Sequence, residues 1–354
     1  MRKISDLIKK LGESGIRAAL ISDELNIRYL IEMPVEDAYV FIVDSDVYLL
    51  TDFRYYEAAN ASLCSEVSVL TPKSKMEFIL TTLNERGITS LAFEGNSASY
   101  AFYNILIKNL SGIRITDLGS MLETMRMRKT EDEIAKIQKS QDITDRAFSE
   151  LLNNIKPDMT EIEVAAELEY LMRKFGSEGP AFSTIAVSGD ASSLPHGVPR
   201  PTKLKKGFLT LDFGSKFDGY CSDMTRTIVI GMADGDMKKL YNTVLGAQTA
   251  ALEYLVQGRD AGEADAVARR IIDADYPGTF GHSLGHAVGL LVHEMPALSP
   301  RSAGQILSTG NVVTVEPGIY LYDKYGCRIE DMVAILDDSI HNFTHSTKEL
   351  IEIL

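Results

Sequence analysis

Apolar residues at Ile4, Leu7, Ile8 and Leu11 recur at helical intervals between charged ones, so the chain is expected to open on an amphipathic helix rather than the unbroken apolar stretch of a signal peptide. Short apolar runs follow at Ala18–Ile21, Tyr39–Val43, 47–50, 91–93 and 113–115, each with the length and texture of a buried strand. They alternate with helical patterns over 73–86 and 97–110. This alternation predicts a compact α/β domain ending near residue 122.

The charged stretch Met125-Arg-Met-Arg-Lys-Thr130 then leads into a long helical pattern in which Thr130 and Glu133 spell a capping box. The boundary between a domain at 1–122 and another at 123–354 is expected there, with the basic residues of 126–129 as a solvated linker. A second capping box, Thr160 with Glu163, starts a helix that Gly176 stops. From Phe182 onward the texture is strand-like at 208–213, 225–230, Val312–Val315 and 332–336, with one helical interlude near 237–255. Helices followed by strands give the second domain an α+β pattern.

That domain contains an internal repeat. One segment reads His196-Gly-Val-Pro199, Gly207, Thr210-Leu-Asp212-Phe-Gly214 and Gly219-Tyr-Cys-Ser-Asp223. The later one reads His293-Glu-Met-Pro296, Gly310, Thr314-Val-Glu316-Pro-Gly318 and Gly326-Cys-Arg-Ile-Glu330. Strand alternation puts Phe208, Thr210 and Asp212 on one face and Leu209, Leu211 and Phe213 on the other; Thr314 and Glu316 likewise oppose Val313 and Val315. A second carboxylate follows 11 residues after Asp212 and 14 after Glu316. A hairpin return would set Asp212 beside Asp223 and Glu316 beside Glu330.

Four converging carboxylates repel one another unless cations neutralise them, and two divalent ions would balance their charge. Four of the six histidines, His196, His282, His286 and His293, fall in the same region. An oxygen-rich site with an imidazole and no thiolate suits Mn²⁺ first, with Co²⁺, Zn²⁺ or Fe²⁺ also compatible. Paired ions acidify a water and polarise a carbonyl, the equipment of hydrolysis. Cys221 is expected as a buried neutral thiol.

Composition narrows the alternatives. Lys and Arg number 36 against 50 Asp and Glu, a net charge of −14, which disfavours nucleic-acid and membrane-surface roles. Three scattered cysteines, Cys64, Cys221 and Cys327, form no disulfide framework and fit a reducing cytoplasm. Gly281-His-Ser283-Leu-Gly285 matches a serine nucleophile elbow, so a serine esterase is the rival from another class. Its context fails, since no buried strand precedes Ser283 and no helical pattern follows. His282 and His286 have zincin spacing but lack the intervening Glu. A non-catalytic peptide-binding scaffold would be expected to have lost carboxylates, and none is lost.

Ser188-Gly, Leu194-Pro-His196-Gly, Leu211-Asp212-Phe-Gly, Gly219-Tyr-Cys-Ser-Asp223-Met-Thr-Arg, Gly285-His286-x-x-Gly-Leu, His293-Glu, Val315-Glu316-Pro-Gly-Ile-Tyr and Gly326-Cys-Arg328-Ile-Glu330-Asp together resemble the signatures of the pita-bread metallopeptidases, in their aminopeptidase P and prolidase branch. The region around Thr51-Asp-Phe-Arg-Tyr55 looks like a creatinase-type N-terminal lid. The resemblance implies a duplicated, curved, mostly antiparallel sheet with flanking helices behind a smaller α/β domain. It implies two metals on Asp212, Asp223, His286, Glu316 and Glu330, with Asp223 and Glu330 bridging. His196 and His293 would flank the scissile bond, His282 would line the proline pocket, Arg328 would orient the site, and Glu316 would shuttle a proton for a bridging hydroxide. The implied activity is hydrolysis of the bond between an N-terminal residue and a following proline, by a cytoplasmic homodimer, with an aminopeptidase on longer peptides preferred and an Xaa-Pro dipeptidase as the alternative. A dipeptidase needs a cation for the proline carboxylate, for which Arg301 is a candidate. Leu291 departs from the family, which often has an acid there.

Overall fold

The structure, a computed structural model, describes residues 2–63 and 65–354, and Cys64 lies outside the described residues. It divides into two compact units, Met1–Met125 and Arg126–Leu354.

In the first unit, helix Arg2–Glu13 buries Ile4, Leu7 and Leu11, as its periodicity requires. Six strands, β1 (Ala18–Ile21), β2 (Tyr39–Val43), β3 (Asp46–Leu50), β4 (Val67–Leu70), β5 (Ser90–Phe93) and β6 (Arg114–Asp117), form one sheet in the order β4-β3-β2-β1-β5-β6. The β1–β2 and β2–β3 pairs are antiparallel and the rest parallel, so helices must carry the chain between the parallel strands. Two short helices that the apolar pattern did not announce, Glu24–Ile31 and Phe53–Ser62, are capped by the side chains of Asp23 and Asp52.

The second unit carries the duplication into three dimensions. Strands β7 (Ile185–Ser188), β8 (Gly207–Phe213) and β11 (Met224–Ile230) pair antiparallel, with a short hairpin of β9 (Lys216–Phe217) and β10 (Tyr220–Cys221) in the return from β8 to β11. In the second half, β12 (Gly285–Ala287) and β13 (Glu294–Leu298) lie beside β14 (Val312–Val315) and β17 (Asp331–Ile335), again with a hairpin in the return, β15 (Gly318–Leu321) and β16 (Tyr325–Arg328). One edge of each sheet is formed late in the chain, by β18 (Ile340–Asn342), antiparallel to β17, and by β19 (Glu352–Ile353), parallel to β11.

Both capping boxes form, at Thr130 with Glu133 and at Thr160 with Glu163, and start helices Glu131–Asn154 and Glu161–Lys174. These helices pack on Leu209, Leu211 and Phe213 of β8. Phe208, on the opposite face, belongs to a second core with Val313, Val315 and Val333, covered by helices Gly235–Tyr254 and Ala261–Asp275. The less apolar face of β8 is therefore buried too. A single helical interlude was expected in this region, but there are two helices. Ala261, Ala264, Ala268 and Ile272 make the buried stripe of the second, and alanines this small carry little weight in an apolar pattern.

The segment 126–129, expected as a solvated linker, is not one. Arg126 and Lys129 are buried in the second unit, and Arg128 alone of its basic residues is exposed.

Candidate metal centre

The carboxylates meet because of strand register. Asp212 pairs with Thr225 in β8–β11, and Phe213 with Met224, so Asp223 lies one step past the end of the ladder. Val315 pairs with Asp331 in β14–β17, which leaves Glu316 and Glu330 as the next facing positions. Both returns depend on glycine. A Cβ on Gly214 would sit 1.9 Å from the carbonyl of Ser222, and one on Gly318 would sit 2.5 Å from the Tyr320 hydroxyl.

His286, from β12, completes the cluster. Its Nε2 is 3.3 Å from Glu316 Oε1 and 3.6 Å from Asp223 Oδ2. One ligand atom from each of Asp223, His286 and Glu330 lies within 4.8 Å of the others. All of these groups line a cavity of about 470 Å³, together with Asp212, His196, His282, His293, Arg328 and the apolar Phe182, Ile185, Pro195, Val292 and Ala297.

The electrostatics are those of a site built around cations. Burial, and then Glu330 and Asp212, push the Asp223 carboxyl well above the usual range. Burial, with Glu316 and Asp212, does the same to Glu330. Asp212 is raised by burial despite the neighbouring Arg328 guanidinium. Glu316 runs the other way. Burial opposes its ionisation, but the His286 hydrogen bond and charge outweigh it and bring its pKa down to about 2. His286 is correspondingly raised, burial being overcome by Glu316.

Asp212 Oδ1 and Glu330 Oε1 are buried without a hydrogen-bond partner. An unpartnered buried carboxylate oxygen costs free energy unless a cation takes it. Hard oxygen donors plus one imidazole therefore fit divalent metal, and no thiol among the described residues lines the cavity.

Around the acids runs a hydroxyl and guanidinium frame. Arg328 donates from Nη2 to Asp212 Oδ2 at 2.6 Å, from Nε to Thr225 Oγ1 at 3.0 Å and from Nη1 to the Tyr320 hydroxyl at 2.8 Å. Thr225 in turn donates to Glu330 Oε2 at 2.6 Å. Tyr320 also meets His282 Nε2 at 2.9 Å, and the His282 ring stands edge-on to Phe280. Tyr320 and Thr225 were assigned no role from sequence. The structure pairs Thr225 with Asp212 across β8–β11.

The remaining candidates separate cleanly. His196 and His293 line the cavity, and the His293 ring centroid is 4.2 Å from that of His286. Arg301 sits exposed on the turn Pro300–Ser302 and does not line it. Ser283 is followed by strand β12 rather than a helix, so it does not sit on a nucleophile elbow. The Cys221 thiol is buried and donates to the Leu290 carbonyl.

Comparison with known proteins places this geometry. The metallopeptidase family M24 pattern matches residues 135–337, and the creatinase/prolidase N-terminal domain pattern matches residues 3–128. An Xaa-Pro dipeptidase of Pyrococcus horikoshii is 37% identical over 352 residues, covering 99% of this chain and 98% of that protein. The solved structure of an Xaa-Pro dipeptidase from Bacillus anthracis superimposes with a TM-score of 0.95 at 36% identity, covering 100% of this chain and 99% of the other. That of an X-Pro aminopeptidase from Thermotoga maritima gives 0.90 at 35%, covering 96% and 98%. With its paired carboxylate hairpins in a duplicated second unit and a creatinase-like first unit, the chain belongs to metallopeptidase family M24.

Proposed function

We propose that the protein is an Xaa-Pro dipeptidase, a metal-dependent exopeptidase that releases proline from a two-residue peptide. Sequence alone favoured an aminopeptidase on longer peptides. The relatives that match end to end and carry the dipeptidase name support the other branch. The observation that carries the reading is the cavity of about 470 Å³, at the lower end of the range for small-molecule sites, with the acid cluster on its wall.

Asp212, Asp223, His286, Glu316 and Glu330 would hold two divalent ions, Mn²⁺ first among them, with Asp223 and Glu330 shared. Such ions, when bound, supply Lewis acidity and acidify a water. The chain's own groups do the rest. His196 and His293 face the cavity with ring N–H groups that can donate to the carbonyl oxygen as negative charge develops on it. Burial lowers the pKa of His293, so its ring is neutral at neutral pH and acts as a hydrogen-bond donor rather than a cation.

Glu316, on the cavity wall, would accept the proton of the attacking water and deliver it to the proline nitrogen as the C–N bond breaks. A proline amide has no N–H of its own, so its ring is recognised by shape, while the free carboxylate of a dipeptide still needs a cation, and Arg301 does not line the cavity to supply one. His282, fixed by Tyr320 and Phe280, supplies a wall for that ring. The same reading includes a boundary near residue 122, a homodimer and a cytoplasmic location. No described helix is long and apolar enough to cross a membrane.

The decisive experiment compares Ala-Pro with Ala-Pro-Ala as substrates of Mn²⁺-loaded protein, with and without chelator. Chelator-sensitive cleavage of Ala-Pro supports the proposal. Cleavage of Ala-Pro-Ala alone transfers the protein to the aminopeptidase branch, which the Thermotoga structure favours. Chelator-resistant cleavage refutes both.

A further inference from the structure

Glu294, the neighbour of His293, has a side chain only 3% exposed, and two cations converge on it. Lys129 Nζ donates to its Oε2 at 3.2 Å and Arg126 Nε lies 3.3 Å from its Oε1. Both partners come from the segment just before helix Glu131–Asn154, 165 residues away for Lys129. Burying three charges together is costly and tolerable only where the geometry is well satisfied. Such a cluster gives little net stability and much positional definition.

The carboxylate folds back inside its own loop. Oε1 accepts the Leu291 N–H at 3.2 Å, and a Cβ on Gly289 would lie 2.6 Å from Oε2, so the carboxylate occupies the space that a side chain there would take. The loop so closed carries His293 into the cavity. The cationic side is equally fixed. The Lys129 N–H donates to the Gly310 carbonyl at 2.8 Å and the Asn311 side chain donates to the Met127 carbonyl at 2.8 Å.

We propose that the Arg126–Glu294–Lys129 ion cluster is a positioning device for His293: Lys129 and Arg126 are positioning residues that act on the reaction through Glu294, and touch neither substrate nor metal. The inference rests on the assignment of His293 to the substrate side of the site. It makes the basic segment at the start of the second unit part of the catalytic machinery's support.

The test is a mutant cycle on metal-loaded protein with Ala-Pro and Ala-Pro-Ala, whichever is cleaved. Lys129→Met and the charge-neutral pair Lys129→Met/Glu294→Gln are each made in the wild-type and His293→Ala backgrounds, with metal content measured throughout. A misplaced catalytic group costs about 10- to 100-fold. The expected result is a loss of that size in kcat with KM and metal content little changed, and no further loss once His293 is already Ala. Lys129→Met keeps the Arg126–Glu294 ion pair whereas the double variant removes the carboxylate that faces Arg126, so Lys129→Met reports even if the double variant fails to fold. Losses that recur undiminished in the His293→Ala background, or wild-type kcat in the neutral pair, overturn the inference. Full activity of His293→Ala alone overturns the assignment on which it rests.

Discussion

Arg328 donates to Asp212 across 2.6 Å, so the β15–β16 hairpin of the second half of the domain holds a carboxylate of the first. The relay continues through Thr225, which accepts from Arg328 and donates to Glu330. One arginine and one threonine thus connect acids 118 residues apart in sequence, Asp212 and Glu330. Partners of this kind orient metal-binding groups and, when removed, typically cost about 10- to 100-fold in affinity or activity.

Thr225→Val tests the relay. The substitution keeps the shape and removes the hydroxyl, so Glu330 Oε2 loses the Thr225 donor and Arg328 Nε loses the Thr225 acceptor. Mn²⁺ titration calorimetry should show affinity lower by about ten-fold or more. Unchanged affinity together with an unchanged turnover would show that the hydroxyl is dispensable.

The acids were legible in sequence and this frame was not, for a physical reason. Asp212, Asp223, Glu316 and Glu330 stand out because a strand with a fixed side-chain period presents them at matching places in two copies of one unit. Thr225 and Tyr320 act through hydroxyls whose partners are set by how the two halves meet, which no local pattern records. Lys129 is the sharpest case. A basic residue in a charged run looks solvated until its partner, Glu294, is brought to it by the fold. Helix Ala261–Asp275 was missed for a different reason, since its buried stripe is mostly methyl groups.

Asp223→Asn separates metal binding from folding. In metal-free protein burial, and then Glu330 and Asp212, disfavour the Asp223 carboxylate, so replacing it with an amide relieves that cost. The metal-free variant should melt a few degrees above metal-free wild type, at about 2–4 °C per kcal/mol for a unit of this size. Wild type should gain stability with Mn²⁺ concentration and the variant should not. A variant that still binds two ions per chain would remove Asp223 from the ligand set.

Glu161 is fully buried at the start of its helix and accepts from the Ser188 N–H and hydroxyl and from the Arg200 N–H, Nε and Nη2. The loop between Ser188 and Arg200 carries His196. Arg328 holds the same loop through the Pro195 carbonyl at 3.3 Å. Glu161→Gln weakens this clasp, with the charged hydrogen bonds worth about 1.5–3 kcal/mol. Arg200 is a third exposed, which places the loss at the low end of that range. The expected signature is a lower kcat with wild-type metal content. A drop in melting temperature with kcat unchanged would confine Glu161 to stability.

In the first unit, Glu94 is 4% exposed and accepts from the Ser22 and Asp23 N–H groups and from Asn26 Nδ2. Burial raises its pKa from 4.5 to about 7, with Asp23 adding to the rise and the three hydrogen bonds opposing it. The folded state therefore holds a proton that the unfolded state has released between those two values. Below pH 4.5 the group's contribution is fully present; as pH rises to 7 it is lost, and above 7 it stays lost. The difference is on the order of 3 kcal/mol. Hydrogen exchange at the Ser22 and Asp23 amides, corrected for intrinsic rates, should show protection falling from pH 5 to pH 8. In Glu94→Gln that fall should shrink, because the amide does not titrate. An identical fall in wild type and Glu94→Gln would assign the pH dependence to another group.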